Sequence, residues 1–191
     1  CEKAQEQNLL AYATLDLLHG QDDIDNALLD DLADEAADLA GSYPLAGVFV
    51  QNFCMDQSSG GFAAYQASGT GMGYANYRKS MTAAAFRAVS EAIRDASPET
   101  QVGIYTPPVW ANQSSDEAGS NTNSGYQTLI DGNADTKAWV EDGLADFVAV
   151  QATGYTSDPN LRFSNVIADL MIPQRALLGG WAMGIPALYL L

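Results

Sequence analysis

Four short apolar runs set the architecture of this chain: Leu45-Ala-Gly-Val-Phe-Val-Gln51-Asn52-Phe53, Val102-Gly-Ile-Tyr105-Thr-Pro-Pro-Val-Trp110, Ala145-Asp-Phe-Val-Ala-Val-Gln151-Ala-Thr-Gly-Tyr155 and Ala176-Leu-Leu-Gly-Gly-Trp181. A strand with one solvated face alternates apolar and polar residues, whereas a strand covered on both faces of a parallel sheet reads as a continuous run like these. Helical patterns separate the runs. The order strand, loop, helix predicts an α/β fold of right-handed βα units, a parallel sheet or a (β/α) barrel of the TIM type, as one domain over residues 1–191. The expected strands are Leu45–Asn52, Val102–Tyr105, Ala145–Gln151 and Ala176–Gly179, adjacent and in sequence order. Ligands of βα repeats lie at the carboxyl ends of the strands, so the residues closing each run are the ones to read for chemistry.

Between the runs, Ile24, Leu28, Leu32, Ala36 and Leu39 form one helical stripe, capped by Asp22 or Asp23. Tyr77, Met81, Ala85, Val89 and Ile93 form a second within Tyr77–Ala96, which Ser97-Pro98 stops. Further helices are expected from Ala134 to Asp142 and from Leu161 to Met171. Leu9 to Leu18 fits either a strand or a short helical turn. The Gly/Ser-rich stretch around Phe62 and Tyr65, from Gln57-Ser-Ser-Gly-Gly61 to Ala67-Ser-Gly-Thr-Gly-Met-Gly73, reads as a long functional loop after the first run. Its glycines do not join a strand to a helix in a tight turn, so they are no nucleotide fingerprint, and no cofactor is expected.

The chain has 191 residues, whereas a complete eightfold barrel typically takes about 250, so a barrel here is expected to be incomplete or part of a longer chain. No apolar stretch approaches the roughly 18 residues of a membrane span. With 24 acidic against 8 basic side chains, the net charge of −16 repels phosphate backbones and disfavours nucleic acid as a partner. Many of the acids lie between Asp22 and Asp38, and because they alternate with apolar positions at helical spacing they read as a solvated helix face. Two cysteines and one histidine are too few for a zinc or thiol centre. A serine triad would have to use His19, expected at a helix start and far from any strand end. Asn112-Gln-Ser114 is a glycosylation sequon, compatible with an extracellular or cell-envelope setting.

Three blocks together resemble the bacterial glycosyl hydrolase-like 10 family, envelope-associated glycosidases on a (β/α)8 barrel. Tyr43-Pro-Leu-Ala-Gly47-Val-Phe-Val-Gln51-Asn52-Phe53, behind the helix from Asp22 to Leu39, is similar to the family's Tyr-x-Val-Asp-Gly-Ile-His-Phe-Asp-Asp-Tyr strand. Tyr77-Arg78 through Ile93-Arg94-Asp95, Pro98, Val102-Gly103-Ile104 and Pro107 to Trp110 form the second block. Trp139-Val-Glu-Asp-Gly143-Leu-Ala-Asp146-Phe-Val-Ala-Val-Gln151 with Tyr155 forms the third. Order and spacing agree over most of residues 22–181, which implies that the chain holds about the fourth to the seventh barrel strands.

Where the family has paired aspartates this chain has Gln51 and Asn52, and neutral amides can act neither as acid nor as nucleophile in glycoside hydrolysis. Asp56 is the substitute carboxylate to consider; as a turn residue before Ser58-Ser-Gly-Gly it needs no catalytic explanation. Gln51, Asn52, Tyr105, Trp110, Gln151, Tyr155 and Trp181 close the strands, and this mixture of amides and aromatic faces suits a glycan. Two classes of function stay open: a carbohydrate-active barrel that binds glycan and has lost hydrolysis, or a noncatalytic extracellular structural or assembly subunit that meets a protein partner. Cys1 and Cys54 can form a disulfide if both lie on the loop face; a lipid-bearing Cys1 is the other reading.

Overall fold

The computed structural model describes residues 3, 6–7, 9–18, 21, 23–55, 61–151 and 157–166. Within them lies a four-stranded parallel sheet of β1 (Tyr12–Asp16), β2 (Gly47–Gln51), β3 (Gln101–Thr106) and β4 (Phe147–Val150), in spatial order β1-β2-β3-β4. The fold is α/β. Three strands fall on the continuous runs, parallel and in sequence order, while Ala176–Gly179 lies outside the described residues. The open reading of Leu9 to Leu18 resolves as a strand, which puts Tyr12 opposite Gly47 and Asp16 opposite Gln51. Among the described residues the sheet is open, flanked by β1 and β4, and does not close into a barrel.

The helices are α1 (Asn26–Ser42), α2 (Phe62–Ser68), α3 (Tyr74–Ala96) and α4 (Thr136–Glu141). Asp25, not Asp22 or Asp23, caps α1: its backbone is extended, and its Oδ1 accepts the Leu28 N–H at 2.8 Å. Leu28, Leu32, Ala36 and Ala40 line the buried side of α1, leaving Asp30, Asp31, Asp34 and Asp38 in solvent as the spacing predicts. In α3 the expected stripe is joined by a second row, Arg78, Thr82, Phe86 and Ser90, because this helix packs on neighbours to both sides. Its hydroxyls are satisfied: Thr82 Oγ1 donates to the Asn133 carbonyl at 2.7 Å and Ser90 Oγ to that of Leu144 at 2.6 Å. The stretch read as one long loop contains α2, set between Gly61 (φ 73°) and Gly69 (φ 60°), whose left-handed backbones favour glycine.

Buried residues of α1, α3 and α4 join Leu15, Val48, Val50, Val102 and Ile104 in one core, so these helices share one face of the sheet. At its centre Trp139 stacks on Phe86, centroids 4.6 Å apart, and meets Phe53 edge-on at 5.2 Å. Removing each such ring from water contributes about 1.5–3 kcal/mol. The opposite face carries a smaller cluster of Phe49, Phe147 and Ala149 with Tyr105 beside it. Phe49 and Phe147 meet edge to face at 4.9 Å, and Tyr12 lies 5.5 Å from Phe49. Gly103 makes room for this layer, since a Cβ there would overlap the Phe147 ring.

At the amino edge of the strands, Asp146 Oδ2 accepts the Val102 N–H at 2.8 Å. Its Oδ1 meets Arg94, in the last turn of α3, at 3.1 Å. One carboxylate thus ties together β3, α3 and the start of β4.

Candidate functional site

Strand parity sorts the carboxyl-edge residues. Gln51 lies two residues beyond Phe49, Tyr105 two beyond Gly103, and Gln151 two beyond Ala149, so all three belong to the face turned away from the helices. Gln151 continues the ladder past β4, donating its N–H to the Thr106 carbonyl at 2.9 Å. The register of β1 adds a fourth member, Asp16. Gln51 Nε2 donates to Asp16 Oδ1 at 2.6 Å, a partly buried side-chain bond between the last residues of two adjacent strands. The strand ends therefore do present a carboxylate, supplied by β1. Its signal was the polar residue ending Tyr-Ala-Thr-Leu-Asp16, visible only once that segment is known to be a strand.

Gln51 and Asn52, read from the sequence as a pair of amides, part company in the structure. Gln51 is the last residue of the ladder, whereas Asn52 is exposed, adopts a left-handed backbone at φ 52°, and accepts the Leu18 N–H on its carbonyl at 3.3 Å. The turn carries the chain into a firmly held exit. Met55 N–H donates to the Gly132 carbonyl at 2.8 Å, and the Met55 carbonyl accepts from Asn133 Nδ2 at 3.1 Å and from the buried Arg78 guanidinium.

Trp110 is half-buried and braced against the start of α4. Its Nε1–H donates to Asp135 Oδ1 at 3.0 Å, the oxygen that also caps α4, and the Lys137 ammonium lies 4.9 Å from its ring centroid. Asn112 cannot serve as a glycosylation acceptor in the fold. It is 4% exposed; its Nδ2 donates to the Ser124 carbonyl at 2.9 Å, and its Oδ1 accepts from Thr122 Oγ1 at 2.9 Å and Ser124 N–H at 2.8 Å. Spacing alone shows the sequon but not the loop that folds back over it.

Asp56, Tyr155 and Trp181 lie outside the described residues, as does Cys1, so its pairing with the half-buried Cys54 does too. His19 follows the end of β1 at Asp16 by three residues in sequence. Its own position is outside the described residues. Among the described residues no three His, Cys, Asp or Glu side chains group to hold a metal ion, and no helix is long and apolar enough to cross a membrane.

The rim thus offers one carboxylate, two amides and a phenol: acceptors and donors for hydroxyl groups, and a ring face to stack on. No protein-family model matches the chain. The glycosyl hydrolase DigH of Escherichia coli O6:H1 (strain CFT073) is 31% identical over 122 residues, a match covering 60% of this chain and 27% of that protein. The protein of that name from strain K12 is 30% identical over the same length. The glycosyl hydrolase YngK of Bacillus subtilis (strain 168) is 36% identical over 63 residues, or 33% of this chain and 12% of that protein. Over these stretches the chain is similar to proteins named glycosyl hydrolases. It spans about a quarter of the length of the DigH proteins it matches.

Proposed function

We propose that the carboxyl edge of the sheet, on the face turned from the helices, is a binding site for a neutral glycan, built on Asp16, Gln51, Tyr105 and Gln151. The observation that carries this reading is the Asp16–Gln51 hydrogen bond, which holds a charged acceptor and an amide together where βα repeats place their ligands. The net charge of −16 favours an uncharged sugar chain over an anionic one. The strand order β1-β2-β3-β4 with the helices of the core on one face supports a larger (β/α) barrel, since a doubly wound sheet covers both faces with helices. In that barrel the Tyr12, Phe49 and Phe147 rings are interior side chains beneath the rim. The strand motifs support the narrower reading as a glycosyl hydrolase-like 10 protein, and that resemblance supports a setting in the envelope or outside the cell.

Ordinary glycoside hydrolysis uses two carboxyl groups about 5–9.5 Å apart. With Gln51 in the place of an aspartate of the family motif, Asp16 serves as an acceptor for sugar hydroxyls and the site binds without turning over common glycosides. The test is calorimetric titration with dimers and hexamers of β-1,4-linked glucose, xylose and N-acetylglucosamine, with product analysis of the same mixtures. The expected result is binding of at least one of them, weakened at least tenfold by Asp16→Ala or Tyr105→Ala, with no cleavage. Binding that these two substitutions leave unchanged overturns the site, and robust cleavage overturns the loss of catalysis. Binding of none favours a structural subunit.

A further inference from the structure

The helix after the β2 exit buries none of its own side chains. It is held by a row of rings: Phe62 lies 5.2 Å from Tyr74 at 88°, Tyr65 lies 5.3 Å from Tyr74, and Tyr65 lies 5.5 Å from Tyr77. Phe62 is 45% exposed and Met72 47%. The rings are fixed in place, for Tyr65 Oη donates to the Met72 carbonyl at 3.0 Å and the Arg78 guanidinium lies 5.4 Å from the Tyr74 centroid. Phe62 is thus an exposed ring braced by the half-buried Tyr65 and Tyr74, on a helix that contributes nothing to the core, where a solvated position ordinarily takes a polar residue.

Charge tells what such a surface can receive. From Gly61 to Tyr77 there is no Asp, Glu, Lys or Arg, in a chain of 24 acidic and 8 basic residues. A charged peptide, phosphate or anionic polymer finds no partner there, whereas rings flanked by the small hydroxyl and amide groups of Gln66, Ser68, Thr70 and Asn76 match a neutral pyranose, apolar on its faces and polar at its edge. The position is also set. Arg78, in the second turn of α3, donates to the Met55 carbonyl and so pins this end of the helix to the exit of β2, the edge that carries Gln51.

We propose that Phe62, with Tyr65 and Tyr74 behind it, is an outlying stacking platform for a neutral oligosaccharide whose other end occupies the rim at Asp16 and Gln51. It extends, and therefore rests on, the reading of the rim as a glycan site. Only a chain longer than the rim reaches the platform, so its contribution grows with ligand length. The same three hexamers and dimers serve as probes. Phe62→Ala should weaken the best-bound hexamer on the order of tenfold, the value of one lost aromatic contact. Its dimer affinity should stay at the wild-type value, melting temperature reading any loss of stability separately, and Phe62→Trp should retain hexamer affinity. Equal hexamer affinity in wild type and Phe62→Ala overturns the platform. So does a concentration-dependent dimer in sedimentation that Phe62→Ala dissolves, which would assign the rings to a second copy of the chain, and so does the absence of binding to any probe. If hexamer binding depends on Phe62 but not on Asp16 or Tyr105, the platform stands and the rim reading fails.

Discussion

Gln51 reaches across the β1–β2 ladder to Asp16, Nε2 to Oδ1 at 2.6 Å. The two residues are also backbone partners in register, so whatever replaces Gln51 stands opposite a carboxylate. Gln51→Ala should lower stability by about 1 kcal/mol through loss of one partly solvated hydrogen bond. Gln51→Glu should cost more, because like charges directly opposite each other are destabilising. Urea denaturation of the two variants checks the order; a Glu variant as stable as the Ala variant would show that the side chains do not face each other.

Gly103 should tolerate no side chain while Phe147 remains. A methyl group at that position meets the Phe147 ring, and overpacking of this kind typically costs about 1–3 kcal/mol. In a double-mutant cycle, Gly103→Ala should be less damaging in a Phe147→Ala background, with a coupling of at least about 0.5 kcal/mol. Additive losses would locate the clash elsewhere.

Asn112 should carry no glycan when the chain is made in a glycosylating host, because its amide is buried in hydrogen bonds to Ser124. Intact-mass measurement of folded protein checks this. Asn112→Ala should cost about 1–3 kcal/mol, since it leaves the half-buried Ser124 and Thr122 groups to find other partners.

Trp139 should be the most damaging truncation in the core. It is 2% exposed, stacked on Phe86 and edge-on to Phe53, and replacing a buried Trp by Ala typically costs about 3–5 kcal/mol. Thermal unfolding followed by circular dichroism reads the loss directly.

What the sequence revealed depended on how fully each element is buried. β2 and β3 are covered on both faces for most of their length, β4 is buried on one face and half-buried on the other, and all three announce themselves as apolar runs, while the α1 and α3 stripes follow from helical spacing. β1 flanks the sheet, and of its five residues only Leu15 is buried, so Tyr-Ala-Thr-Leu-Asp carries no run to read. Asp16 went with it. The helix from Phe62 to Ser68 hid for a related reason: its apolar residues point to no core, and its glycine neighbours look like loop. Gln51, Tyr105 and Gln151 were legible as strand closers, whereas the separation of Gln51 from Asn52 depends on one positive φ that composition does not encode. The curated relatives add the glycosyl hydrolase likeness that the blocks at Gly47, Val102 and Trp139 suggested.

Asp146 gives the molecule a division of labour along its strands. The charge pairing that fastens β3 to α3 sits at the amino edge, while Gln51 and the proposed ligand groups sit at the carboxyl edge, a full strand length away. Asp146 and Arg94 are about a third exposed, so salt screens their attraction, and raising ionic strength acts on the fastening without touching the uncharged donors at the other end. Substitution at the carboxyl edge therefore leaves the foundation in place, and a carboxylate can give way to an amide at position 51 without the sheet coming apart.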